Sequence, residues 1–187
     1  MANSVEFRQD SYTVTITHEQ GYTPGSADNV HTFDKEYLLD SGPFVSMHAI
    51  RCAAASGDDH SCILAANGGS TTVHAHSAIV REGRLYVAIC DKVCCLSLPD
   101  LQMMWHVPAD GATCFELYEL ENKQGLIVHG ELSISRLSYS GDILWSAGGK
   151  DIFTEGFKLL ADVVEVEDFE HTQYRIDTKT GVSTIIT

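Results

Sequence analysis

The chain has 187 residues, 44% of them hydrophobic and 20% charged, with 26 Asp and Glu against 12 Lys and Arg. That size and composition suit one globular domain and exclude wholesale disorder. A formal charge of −14 repels phosphate backbones and anionic lipid, so nucleic acid and membrane surfaces are disfavoured and a basic protein is the expected partner.

The start, Met1-Ala2-Asn3-Ser4-Val5-Glu6-Phe7-Arg8, has no basic segment leading into an apolar one, and no run of about 18 uncharged apolar residues follows. The expectation is a cytoplasmic protein, with Cys52, Cys62, Cys90, Cys94, Cys95 and Cys114 kept as thiols. Residues 4–18 read as extended. Val5 and Phe7 alternate with polar neighbours, Ser11-Tyr12-Thr13-Val14-Thr15-Ile16-Thr17 is β-branched with period two, and the turn-like Gln9-Asp10-Ser11 makes a first hairpin. Residues 19–32 carry Gly21, Pro24, Gly25, Asp28 and Asn29 and form a long loop.

Residues 44–52 suit a strand, although the alanines that follow also suit a short helix. Residues 61–66 enter Asn67-Gly68-Gly69, which tolerates the positive φ of a hairpin turn, so residues 71–76 are expected to return as the paired strand. Beyond this point a unit recurs. Leu85-Tyr86-Val87 leads through a polar turn to Leu96-Ser97-Leu98 and Trp105; Leu126-Ile127-Val128 leads to Leu137-Ser138-Tyr139 and Trp145. The tryptophans lie 40 residues apart and the leading strands 41. A third unit runs through residues 163–166 and 173–177 to residues 182–186. Such a period marks stacked supersecondary units that cannot bury their apolar faces alone.

The organisation expected is a single all-β domain over residues 1–187, with N-terminal hairpins and a loop in 1–76 and three blade-like repeats in 77–187. The stacked antiparallel sheets would form a small or incomplete β-propeller; a distorted β-sandwich is the alternative. Residues 78–187 resemble the blade repeat of pyrroloquinoline-quinone-type β-propellers. Thr178-Lys179-Thr180-Gly181 after Ile176-Asp177 carries the likeness best, followed by Ser140-Gly141 with Trp145. The first unit has Leu101 where the glycine would fall, and the third ends in Ile185 without a tryptophan. Quinone enzymes of that family need a full ring, a metal site and a cofactor platform, which this sequence does not show, so no cofactor is carried over.

The sharpest local chemistry is His74-x-His76, whose imidazoles would share a strand face. His60 and Cys62 sit on the other arm of the expected hairpin, which would give zinc three or four ligands. Cys90, Cys94 and Cys95 read as buried structural thiols. No G-x-S-x-G elbow, Walker A loop, H-E-x-x-H pair or EF-hand loop occurs, and Gly148-Gly149-Lys150 is followed by Asp151 rather than Ser or Thr. The chain therefore reads as non-enzymatic. Asp162, Glu165, Glu167, Asp168 and Glu170 are its densest charge, with Glu116, Glu119 and Glu121 one repeat earlier. These acidic residues point to a protein-binding module for a basic partner, in one concrete form an immunity- or inhibitor-type protein covering a cationic toxin or nuclease. The competing readings are a metal-binding protein built on the histidine hairpin and a small-ligand site in a propeller mouth. Open sheet edges would also allow a second copy to pair.

Overall fold

A computed structural model describes residues 4–9, 11–55, 57–121 and 124–186. Every regular element among them is a β-strand, and the strands form four separate sheets. The first contains β1 (Ser4–Arg8), β2 (Tyr12–His18), β3 (Lys35–Leu38), β4 (Ser46–Ala54) and β5 (His60–Ala66), in the order β1-β2-β4-β5-β3. The β1–β2 hairpin forms as expected, although Asp10 of its turn lies outside the described residues. Residues 44–52 resolve in favour of a strand, because Ile50 and Cys52 alternate inward with Val14 and Ile16 across the β2–β4 ladder.

Each later unit makes a four-stranded antiparallel sheet. The second sheet has β6 (Ala78–Arg81), β7 (Arg84–Ile89), β8 (Lys92–Ser97) and β9 (Met103–Pro108). The third has β10 (Cys114–Glu119), β11 (Leu126–Gly130), β12 (Ser133–Leu137) and β13 (Ile143–Gly148). The fourth has β14 (Phe157–Leu159), β15 (Val163–Glu167), β16 (Gln173–Asp177) and β17 (Ser183–Ile185). Three apolar clusters fill the gaps between consecutive sheets: Ile50, Leu64, Leu85 and Leu96 in the first, Tyr86, Val93, Leu117 and Val128 in the second, and Ile127, Phe153, Val164 and Ile176 in the third. Among the described residues no such cluster joins the fourth sheet to the first. The architecture is a stack of blade-like sheets without closure, and not a two-sheet sandwich.

The expected hairpin about Asn67-Gly68-Gly69 does not form. β5 pairs with β4 on one side and parallel to β3 on the other, while residues 71–76 cross the sheet ends as a connector into β6. Gly68 does take a positive φ, +126°, but Gly69 serves close approach and not a turn. Gly69 N–H donates to the Ala112 carbonyl at 2.9 Å, and a Cβ on Gly69 would lie 1.6 Å from Thr113 Oγ1. This contact begins a belt of backbone hydrogen bonds across one end of the stack. Glu131 N–H donates to Thr113 O at 2.8 Å, Phe153 N–H to Glu131 O at 2.7 Å, and Phe169 N–H to Ile152 O at 2.8 Å.

The repeat's tryptophans have a matching physical role. Trp105 on β9 lies against Gly141 in the β12–β13 turn, and Trp145 on β13 lies against Gly181 in the β16–β17 turn. Each ring fills the space above the next sheet's turn, where a Cβ would come within 2.8 and 2.7 Å of it. Leu101 replaces the glycine in the first unit because no tryptophan on the first sheet bears on it. There the Tyr37 hydroxyl donates to Leu101 O at 2.9 Å and accepts from Met103 N–H at 3.0 Å.

The outermost faces of the stack are covered differently. On the first sheet Phe33 packs edge-on against Tyr22 and lies under the Arg51 guanidinium, so residues 19–34 fold across the outer face. Asn29 ties that loop together through Thr23 and Ser26. On the fourth sheet Lys158, Glu165 and Arg175 align across three strands, with Arg175 Nη2 2.5 Å from Glu165 Oε1.

Candidate functional site

At the end crossed by the belt, near the first strands of successive sheets, a recess of about 440 Å³ opens between the third and fourth sheets. Its walls are His74, Phe115, Glu116, Tyr118, His129, Thr154, Glu155 and Phe157. A bulge between Cys114 and Glu116 sets the register of β10, so that Glu116 stands directly opposite His129 on β11. Both then share one sheet face with Tyr118.

The polar centre is Glu116. Its Oε2 accepts from the Tyr118 hydroxyl at 2.7 Å and lies 3.0 Å from His129 Nδ1. The His129 bond is the main force lowering the Glu116 carboxyl from 4.5 to about 2; burial opposes it and the Tyr118 hydroxyl adds to it. Burial, with Glu116 alongside, pushes the Tyr118 phenol upward. His129 Nε2 lies 3.2 Å from the Phe153 carbonyl oxygen. A carboxylate and a carbonyl are both acceptors, so the ring makes both bonds only as the imidazolium. With both nitrogens engaged, His129 is not placed as a catalytic base.

Four rings run in sequence beside this pair. His76 packs on Tyr118 at 4.5 Å between centroids, Tyr118 on Phe157 at 4.7 Å, and Phe157 on His129 at 4.5 Å. The stack joins the connector before β6 to sheets three and four, and Leu117 N–H donates to His76 O at 2.8 Å beside it.

The proposed zinc ligands are not assembled. His60 and Cys62 lie on β5, while His74 and His76 lie in the connector. His74 is already committed: its Nδ1 accepts from His76 N–H at 3.3 Å and its Nε2 faces Phe115 O at 3.1 Å. Cys62 has no exposed surface, and burial pushes its thiol up to about 12. Among the described residues no three His, Cys, Asp or Glu side chains are grouped to hold a metal ion. Of these residues the structure sets His74 in the recess wall with Glu116, and His76 stacks on Tyr118 beside it.

The acidic stretch is also divided. Asp168 is fully buried, accepting from the Tyr174 hydroxyl at 2.7 Å and Thr172 N–H at 2.8 Å, so it is a structural carboxylate and cannot meet a partner. Glu165 pairs with Arg175 on the outer face, and exposed Asp162 lies at the opposite end of β15 from Glu167. Glu167 N–H donates to Gly156 O at 2.8 Å, beside exposed Glu155, but the Glu167 carboxylate is held by His171 and Gln173 and neither it nor exposed Glu170 lines the recess.

Phe115, Tyr118, His129, Thr154, Glu155 and Phe157 escaped the sequence reading. One signal was present: His129 ends the apolar run Leu126-Ile127-Val128 at the place where the preceding unit has Ala88.

No family model matches the chain, and no curated protein matches it in sequence. In fold it is similar to a crystal structure of HIRA(644-1017), with a TM-score of 0.52 and 9% identity over 98% of this chain and 55% of that one. It is also similar to BamB from Moraxella catarrhalis, with a TM-score of 0.51 and 11% identity over 98% of this chain and 66% of that one. The chain thus spans between about half and two thirds of these propeller-like structures. The likeness bears on the blade-like fold alone.

Proposed function

We propose that this protein is a non-enzymatic protein-binding module that takes a basic partner on the end of the stack where the recess opens. The observation that carries the reading is the pair Glu116 and Glu155 on the walls of one ring-lined recess, in a chain of net charge −14. An immunity- or inhibitor-type protein covering a cationic toxin or nuclease is one form of this reading, supported by charge and size. Long-range attraction steers such a partner and short-range packing at the recess selects it. The quinone chemistry of the resembled repeats plays no part in the reading.

Amide chemical-shift mapping with acetylated tetralysine amide tests it, with tetraglutamate as control. Tetralysine should shift resonances around Glu155, Glu167 and Glu170 saturably and tetraglutamate should not. The double variant Glu155→Lys, Glu170→Lys should weaken the interaction by about tenfold and flatten its salt dependence. Equal binding by the double variant, or shifts scattered over the whole surface, would remove this end of the stack as the docking face.

A further inference from the structure

Within that docking face, we infer that the recess accepts one alkylammonium or guanidinium side chain, a lysine or arginine of the basic partner, and that it does so in exchange for the proton on His129. The inference rests on the proposed binding of a basic protein and narrows it to one pocket and one linked ion.

The ligand's charge follows from the lining. Two carboxylates, Glu116 and Glu155, face the space, with Phe115 and Phe157 as its apolar walls, and no lysine or arginine is among the lining residues. Both hydrogen bonds to Glu116 fall on Oε2, and among the described residues Oε1 takes none. A carboxylate oxygen beside aromatic walls favours a cation with an apolar stem, which lysine and arginine both provide.

The proton follows from His129. Held between the Glu116 carboxylate and the Phe153 carbonyl, the imidazolium neutralises Glu116 from inside the protein. A cation arriving on Oε1 places a second positive charge on the same carboxylate. Like charges this close disfavour each other, and an imidazolium is the weaker holder of its proton beside ammonium or guanidinium; the neutral ring left behind keeps one N–H and so gives up one of its two bonds, to Glu116 or to Phe153 O. One cation enters, one proton leaves to solvent, and the charge in the recess is unchanged. The other titratable groups facing it are Tyr118 on β10 beside Glu116, Glu155 from the connector before β14, His74 from the connector before β6, and His76 of that connector, which stacks on Tyr118 and acts on the Glu116 charge. Both nitrogens of His74 have partners that a neutral ring satisfies, Nδ1 accepting from His76 N–H and Nε2 facing Phe115 O. Linkage then requires apparent affinity to rise with pH, by up to about tenfold per unit where a whole proton is released.

The test is calorimetry with Nα-acetyl-lysine amide and Nα-acetyl-arginine amide, run in buffers of low and high ionisation heat, together with ring-nitrogen NMR of His129. Expected are saturable binding, a heat that varies with the buffer in proportion to protons released, and a His129 ring passing from the charged to the neutral pattern. His129→Gln should bind either probe with a buffer-independent heat and no rise with pH. Binding to the unaltered protein with a buffer-independent heat would overturn the exchange. Failure of both probes to shift Phe115 and Phe157 would overturn the recess as the cation's seat, while tetralysine shifts at Glu155 and Glu170 would leave the broader reading standing. Loss of those as well would overturn both.

Discussion

Replacing Gly141 with alanine tests whether the repeat's tryptophans set the spacing between sheets. The backbone at Gly141 has φ +93°, which costs an L-residue about 1–2 kcal/mol. The new Cβ would lie 2.8 Å from Trp105 Cδ2 and 3.0 Å from Cε3, so the ring must retreat by roughly half an ångström to reach ordinary contact. Overpacking of that size adds about 1–2 kcal/mol, for a total of about 3 kcal/mol. In a domain of this length that lowers Tm by about 6–12 °C. The assay is urea unfolding of four proteins: the parent, Gly141→Ala, Trp105→Leu and the double variant. Trp145 serves as the fluorescent reporter throughout. With the indole gone, Gly141→Ala should cost only its backbone share, so the cycle should show a coupling of about 1–2 kcal/mol. An equal cost in both backgrounds would refute the contact between ring and turn as the source of the effect.

Two further outcomes bear on the carboxylates. Glu116 has a lower pKa folded than unfolded, so its bonds stabilise the fold above the ordinary carboxylate range near 4.5 and that contribution disappears as pH falls toward about 2. With the side chain 26% exposed, the screened effect is about 1–2 kcal/mol, and Glu116→Gln should flatten acid-unfolding curves in that window. Asp168→Ala should cost about 2 kcal/mol in urea unfolding by leaving the Tyr174 O–H donor and Thr172 N–H without their acceptor, while Glu170→Ala should change stability by less than about 0.5 kcal/mol; similar costs at both positions would contradict the burial of Asp168.

The sheets were legible wherever a strand carried period-two β-branched residues, as in β2, or an apolar run between turns, as in β7, β8 and β11. The first strands of the repeats were not. β6 and β14 have only four and three residues, and β10 puts Glu116 on the recess face and, on the face where Leu117 meets the core, Glu119, which accepts from Arg81 and Tyr139. β3 is short, and only its parallel pairing with β5 makes it a strand. The false hairpin arose because glycine has two uses, a positive φ and an absent side chain, and Gly69 needs the second. The site was illegible for a related reason. Glu116 and His129 are paired by the β10–β11 ladder, so an acid noted for its charge and a histidine within an apolar run acquire a joint meaning only once β10 is known to exist.

The belt of backbone hydrogen bonds has a consequence for recognition. Because successive links run from Ala112 and Thr113 through Glu131 to Phe153, the segments framing the recess are tethered whether or not a ligand is present. A guest therefore meets a socket already set, and little of its binding energy is diverted to ordering the host. Discrimination between guests should then appear chiefly as differences in how long each one stays.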